Sequence, residues 1–220
     1  MALTLAFDVY GTLVDPSGMV VHLRQDAGDA ADAVSRLWRE KQVEYAFRRG
    51  LMRCYEDFGT CTRQALQTAL RVHGLTLTGE REDDLIQSFL ELPAFPDAQE
   101  GLRVVAGYRR FGFSNGTYPA LEKVLGHNGL REHLEGLVSV DDIRSFKPDP
   151  AVYAYARRAT GVFDAPLCLV SSNSWDVIGA RSAGLMAIWV KREPGMVFED
   201  WGFEPNAVIG DLTELPGVLG

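Results

Sequence analysis

The sequence predicts an α/β protein: a parallel-sheet core with an all-helical block inserted after the first strand. Three observations carry this. The short apolar run Leu3–Val9, closed by Gly11, reads as a buried strand. Between Asp15 and about Leu92 only helical spacing appears, with no strand-like segment. From about Tyr108 onward, strands and helices alternate. Alternation of that kind implies a parallel sheet covered on both faces. The first strand and the later ones then form one discontinuous domain, residues 1–15 and 93–220, with residues 16–92 as the helical insertion.

Each element has its own signal. In "DAADAVSRLWREKQVEYAFRR", Val34, Leu37 and Trp38 fall at helical spacing, followed by Tyr45 and Phe47. "TRQALQTALRVHG" has an apolar stripe of Ala65, Leu66, Ala69 and Leu70; Thr62 is its expected cap and Gly74 its stop. "DDLIQSFLEL" supplies a third stripe. Tyr108–Phe113 reads as a strand weakened by Gly112, and Leu102–Ser114 looks short for a helix, a turn and a strand, so a clipped or irregular strand is expected before Ser114. "YPALEKVLGHNG" reads as a helix and "GLVSV" as a strand. "DPAVYAYARRATG" is a helix with Pro150 in its first turn, where its missing N–H costs little. "APLCLVSS", "LMAIWVK" and a short "NAVIG" read as strands, with "WDVIGARSAG" as a helix between the first two.

Composition narrows the function. Apolar residues make up 46% and charged residues 24%, the balance of a soluble globular chain rather than a disordered one. A net charge of -8 disfavours nucleic acid and anionic membrane surfaces, which both call for a basic face. A small anionic substrate stays open, because a few local cations can override the global sign. Cys54, Cys61 and Cys168 have no paired spacing, which suggests reduced thiols in a cytoplasmic protein. Asp8 interrupts the first apolar run too early for a secretory signal, and no apolar stretch approaches the ~18 residues of a membrane span. His22, His73, His127 and His133 sit outside every motif, and no metal-ligand set appears.

In open parallel sheets ligands bind at the carboxyl ends of the strands. Asp8, Ser114 and the run Ser171–Asn173 all fall at or just beyond strand ends. Asp8 could simply cap a turn. With Gly11, Thr12 and a tight loop behind it, it could equally be held ionised and aimed as a nucleophile.

"FDVYGTL" resembles the first motif of the haloacid dehalogenase superfamily, and three more motifs follow in order. These are Ser114–Asn115–Gly116, Lys147–Pro148 in "FKPDP", and "SSNSWD" from Ser171 to Asp176. Phosphatases of that superfamily usually carry a second aspartate where this chain has Tyr10, and acidic residues in the fourth motif that hold magnesium. Here Asp176 is the only carboxylate of the fourth motif. A halide leaving group is a weak base and needs no proton donor. Together with "LWREKQVEY" and "FKPDPAVY", the motifs resemble those of the L-2-haloacid dehalogenases over nearly the whole chain.

That resemblance implies a Rossmann-like core with a helical cap, no cofactor or metal, and a small halogenated carboxylate as substrate. It implies Asp8 as nucleophile, with Thr12 supporting its loop, and hydrolysis of short L-2-haloalkanoates to D-2-hydroxy acids with inversion. Arg39 and Asn173 would receive the halide. Ser114 and Asn115 would hold the substrate carboxylate. Lys147 would keep Asp8 ionised, and Asp176 would either orient Lys147 or help activate water. Tyr153 and Ser171 match the remaining polar positions; Tyr10, Phe58 and Trp175 match apolar contacts, a role that plain core packing would also explain. Glu40 departs from the uncharged residue common in the family and would weaken halide binding if it faced the site. A homodimer through the helical region is the expected assembly. The competing readings are a phosphatase-like hydrolase of the same superfamily and a non-catalytic protein on this fold.

Overall fold

The computed structural model describes residues 3–163 and 165–219. Its centre is a six-stranded, all-parallel sheet of β1 (Thr4–Phe7), β2 (Arg109–Ser114), β3 (Gly136–Ser139), β4 (Leu167–Ser171), β5 (Met186–Val190) and β6 (Ala207–Ile209). The spatial order is β3-β2-β1-β4-β5-β6. β1 lies at the point where the order reverses, pairing with β2 on one side and β4 on the other. The crevice beyond such a strand is where this class of sheet binds ligands.

Alternation along the strands sends side chains to two separate cores. Leu5, Phe7, Val170 and Ile188 face one side, with α5 (Ala98–Val104), α6 (Tyr118–His127) and α9 (Leu215–Leu219). Ala6, Phe113, Leu169 and Trp189 face the other, with α7 (Pro150–Ala159) and α8 (Ser174–Ser182). Burial on both faces explains why the strands read as nearly continuous apolar runs.

Between β1 and β2 lie α1 (Met19–Ala27), α2 (Ala31–Met52), α3 (Phe58–Val72) and α4 (Gly79–Phe89). The chain leaves and re-enters the sheet region through two short segments that clasp each other. Asp15 N donates to the Pro93 carbonyl at 2.8 Å, and Phe95 N donates to that of Leu13 at 2.9 Å. Far from these crossings, Tyr55 Oη in the α2–α3 loop donates to Asp141 Oδ1 at 2.5 Å, in the turn that follows β3.

Two sequence expectations are corrected. Thr62 does not cap α3: the helix begins a turn earlier behind Asp57, whose carboxylate accepts from Thr60 N at 3.0 Å. Thr62 is interior, with its hydroxyl turned back to the Phe58 carbonyl at 2.7 Å. The strand before Ser114 is neither clipped nor irregular. It keeps six residues and pairs with both neighbours, because α5 ends early at Val104 and leaves room for the turn. Gly112 fits because a side chain there would strike Leu137 at 2.9 Å.

Candidate active site

Asp8 follows β1 directly and is 5% exposed. Its Oδ1 accepts from Lys147 Nζ at 3.1 Å. Its Oδ2 accepts from Thr12 Oγ1 at 2.9 Å, Asn173 Nδ2 at 2.7 Å and Ser171 Oγ at 3.3 Å. Thr12 is fixed in turn, since its hydroxyl also accepts from Ser172 N at 2.9 Å. Gly11 closes the turn between them at φ +94°, with the Asn173 amide 3.4 Å from where a Cβ would stand. A side chain there would be strained and would crowd that amide.

Behind Asp8 lies a buried charge cluster. Lys147 Nζ donates to Asp176 Oδ2 at 2.7 Å and to the Phe113 carbonyl at 2.8 Å, and sits 4.1 Å from the centre of the Phe113 ring. Tyr153 Oη donates to Asp176 Oδ1 at 2.8 Å. Gly179 makes this possible, because a Cβ there would lie 2.5 Å from the Tyr153 hydroxyl. Two carboxylates thus share one buried ammonium, Asp176 from the closed side and Asp8 from the edge of the pocket. Burial works against the Lys147 charge, but Asp176 and Asp8 outweigh it and hold its pKa above the usual lysine value. Asp176 is pushed up to about 6, chiefly by burial, with Lys147 pulling it back and Asp8 adding to the rise.

In front of Asp8 is a small pocket. Among its lining residues are Tyr10, Arg39, Phe58, Ser114, Asn115 and Trp175, with Asn173 at its rim beside Asp8. Arg39 comes from α2, where Nη1 donates to Gln42 Oε1 at 2.7 Å and Nη2 reaches the Tyr10 carbonyl at 3.4 Å. Burial lowers its pKa, with Asp8 opposing the shift. Both amide protons of Asn173 are engaged, one by Asp8 and one by the Tyr10 carbonyl at 3.1 Å. Ser114 Oγ accepts from Gly116 N at 3.1 Å, and Asn115 Oδ1 accepts from Lys147 N at 2.9 Å. The Tyr10 ring packs on Phe89 and Phe58, at 5.2 and 6.3 Å between centroids, and burial raises its phenol pKa, keeping it neutral. Trp175 meets Phe47 edge-on at 5.1 Å. Glu40 is exposed on the outer face of α2. Among the described residues, no three His, Cys, Asp or Glu side chains converge as a metal site would require.

The haloacid dehalogenase-like hydrolase family model matches residues 3–184. (S)-2-haloacid dehalogenase 1 of Pseudomonas sp. (strain CBS-3) is 37% identical over 218 residues, covering 97% of this chain and 94% of that protein. (S)-2-haloacid dehalogenase 4A of Burkholderia cepacia is 39% identical over 189 residues, covering 85% and 82%. The solved L-2-haloacid dehalogenase of Xanthobacter autotrophicus with chloropropionic acid covalently bound superposes with a TM-score of 0.95 at 30% identity, covering 100% of this chain and 98% of that one. The chain belongs to the L-2-haloacid dehalogenase family.

All thirteen site residues expected from the sequence of this L-2-haloacid dehalogenase family member fall in the pocket or in the network behind it. Three further residues were not anticipated. Val43 lines the pocket one turn after Arg39. Gln42, fully buried, holds the Arg39 guanidinium. Arg192, just past β5, grips Asp97 with Nη1 at 2.7 and 2.6 Å and donates from Nη2 to the Thr12 carbonyl, bracing the Asp8 loop from behind. The i, i+3 spacing of Gln42 from Arg39 was visible in the sequence. No local signal marks Arg192. Among the described residues no helix is long and apolar enough to cross a membrane.

Proposed function

We propose that this protein hydrolyses short L-2-haloalkanoic acids to D-2-hydroxy acids through an ester on Asp8, with inversion at the reacting carbon. The observation that carries this reading is the position of Asp8. Its carboxylate opens on a pocket that holds an arginine which, among the described residues, forms no salt bridge, while Lys147 backs it from the closed side. The names of the relatives, and the covalently held chloropropionic acid in the Xanthobacter structure, support the same substrate class.

In the first step an Asp8 oxygen attacks C2 from the face opposite the halogen. The C–O bond forms as the carbon–halogen bond breaks, and the electron pair leaves with the halide. Arg39 is the better halide receiver of the two candidates, because its contact with the Tyr10 carbonyl is long at 3.4 Å and easily given up. Asn173 would have to release Asp8 or Tyr10 first. Ser114 and Asn115 stand where they would orient the substrate carboxylate. In the second step water attacks the Asp8 carboxyl carbon. The acyl–oxygen bond breaks, the hydroxy acid leaves with the oxygen that Asp8 supplied, and a proton passes to solvent. Lys147 stabilises the charge that builds on the ester oxygens. Both Asp176 oxygens are taken, by Lys147 and Tyr153, which supports an orienting role for it.

Residues 16–92 act as a cap over the pocket in this reading, supported by Arg39, Val43 and Phe58 reaching Asp8 from α2 and α3. Exposed Leu51, Met52 and Val72 at the ends of those helices support a homodimer; a light-scattering mass near 24.3 kDa would refute it. A cytoplasmic location completes the proposal.

The test is halide release from L- and D-2-chloropropionate, assayed separately with EDTA present. Release from the L form alone is expected. With release from neither, but phosphate-ester hydrolysis on adding magnesium, the phosphatase-like reading replaces this one. Turnover in 18O-labelled water should place label in the Asp8 carboxylate; label found only in the product would rule out the ester.

A further inference from the structure

Gln42 is a polar side chain with no exposure at all, buried within the helical block. Its amide makes two hydrogen bonds, and their directions are fixed by a chain of donors. The Thr62 hydroxyl donates to the Phe58 carbonyl at 2.7 Å, so toward Gln42 it can only accept. Gln42 Nε2 donates to it at 2.6 Å. Gln42 Oε1 is therefore forced to the opposite side, where it accepts from Arg39 Nη1 at 2.7 Å. Thr62 is itself anchored, since Trp38 Nε1 donates to its carbonyl at 2.8 Å.

What Arg39 is given matters as much as where it is held. A buried arginine commonly pairs with a carboxylate, which fixes its orientation and cancels its charge. Both side-chain partners of Arg39 among the described residues are neutral oxygens, the Gln42 amide and the Tyr10 carbonyl. A glutamate at position 42 would have the same size and reach. It would turn this contact into a closed ion pair.

We propose that Gln42 is a positioning residue that aims the Arg39 guanidinium into the pocket while leaving its positive charge free for the departing halide. This rests on the proposed dehalogenase reading and deepens it. The function assigned to Thr62 is to lock the amide so that the oxygen, not the NH2 group, faces Arg39. Gln42 acts only through Arg39, and so its influence should scale with how much the leaving group needs a donor. Chloride, the poorer leaving group, should feel its loss more than bromide does.

The experiment compares wild type, Gln42→Glu, Gln42→Met and Thr62→Val, each first checked for a wild-type-like thermal transition. Rates are measured on L-2-chloro- and L-2-bromopropionate, and bromide affinity is measured by calorimetry on the free enzyme. Gln42→Glu should lower kcat on the chloro acid by about tenfold or more, with a clearly smaller loss on the bromo acid and weaker bromide binding. Thr62→Val should move both readouts the same way by less, and it covers the case in which the Gln42 variants do not fold. Equal losses on the two acids with unchanged bromide affinity would overturn the proposal, since a general structural defect does not distinguish leaving groups. If wild type turns over neither acid but binds bromide in a Gln42-dependent way, the dehalogenase reading fails and the positioning of Arg39 stands. If it neither turns over nor binds bromide, both fall.

Discussion

The Lys147 ammonium lies closer to Asp176 than to the proposed nucleophile, 2.7 Å against 3.1 Å from Asp8. The lysine is thus held chiefly by a carboxylate that does not touch the pocket, and Asp8 takes a share of a charge already fixed in place. This arrangement keeps Asp8 out of a tight ion pair, which would blunt it as the proposed nucleophile.

The pH dependence follows from Asp176. Its pKa is raised to about 6 in the fold, from an ordinary value near 3.8 in the unfolded chain. Between those values the folded state binds the extra proton, so this group's contribution to stability falls as pH rises through the window. Activity should run the other way, dropping below about pH 6 as Asp176 protonates and releases Lys147. Asp176→Asn, a neutral mimic of the protonated carboxyl, should hold kcat at the low acid value across the whole range and remove this part of the stability profile. Rates and urea midpoints from pH 4 to 8 check it.

Lys147→Met should abolish halide release and cost about 3–5 kcal/mol of stability, because two buried carboxylates lose their common counter-ion. The double variant Lys147→Met/Asp176→Asn should recover part of the stability and none of the activity. Urea unfolding of the set measures the coupling.

Arg192→Met should cost about 2–3 kcal/mol, since it leaves the part-buried Asp97 carboxylate with Leu212 N at 2.7 Å as its one remaining partner among the described residues. It also frees the Thr12 carbonyl, so kcat should fall with KM little changed. Arg192→Lys should recover less than the wild-type rate, because an ammonium cannot span Asp97 and Thr12 with the same planar fork.

Tyr10→Phe should keep near-wild-type activity, because the ring and not the hydroxyl packs against Phe58 and Phe89. Tyr10→Ala should cost about 3–5 kcal/mol and open the pocket to water. Thermal melts and halide release on both variants decide between a wall and an acid at this position.

Glu40→Gln should change neither rate nor stability by a measurable amount, within about 0.5 kcal/mol, since the side chain faces solvent. A large gain in halide affinity would show that its charge reaches the site after all.

Much of the site was legible in the chain itself. The strand-end positions of Asp8, Ser114 and Ser171 follow from apolar runs that stop at a glycine or a polar residue, and the alternation after Tyr108 sets a parallel sheet. Local signals misled where two caps competed. Thr62 looked like a helix start, but Asp57 stands a turn earlier, and Phe58 and Cys61 begin the buried stripe.

The sequence by itself determined which residue types stand at strand ends and the order in which they occur, because periodicity and turn chemistry act over a few residues. It also determined that Tyr10, not a second acid, follows the proposed nucleophile. Only the tertiary structure decided that β1 sits between β2 and β4, and so that Lys147, 139 positions from Asp8, donates to its carboxylate. It also decided which way the Gln42 amide faces and that Arg192 reaches Thr12. Those are pairings between distant segments. A hydrophobic pattern tells each segment which face to bury, and the choice of partner comes from sheet order and close packing, to which the local pattern is blind.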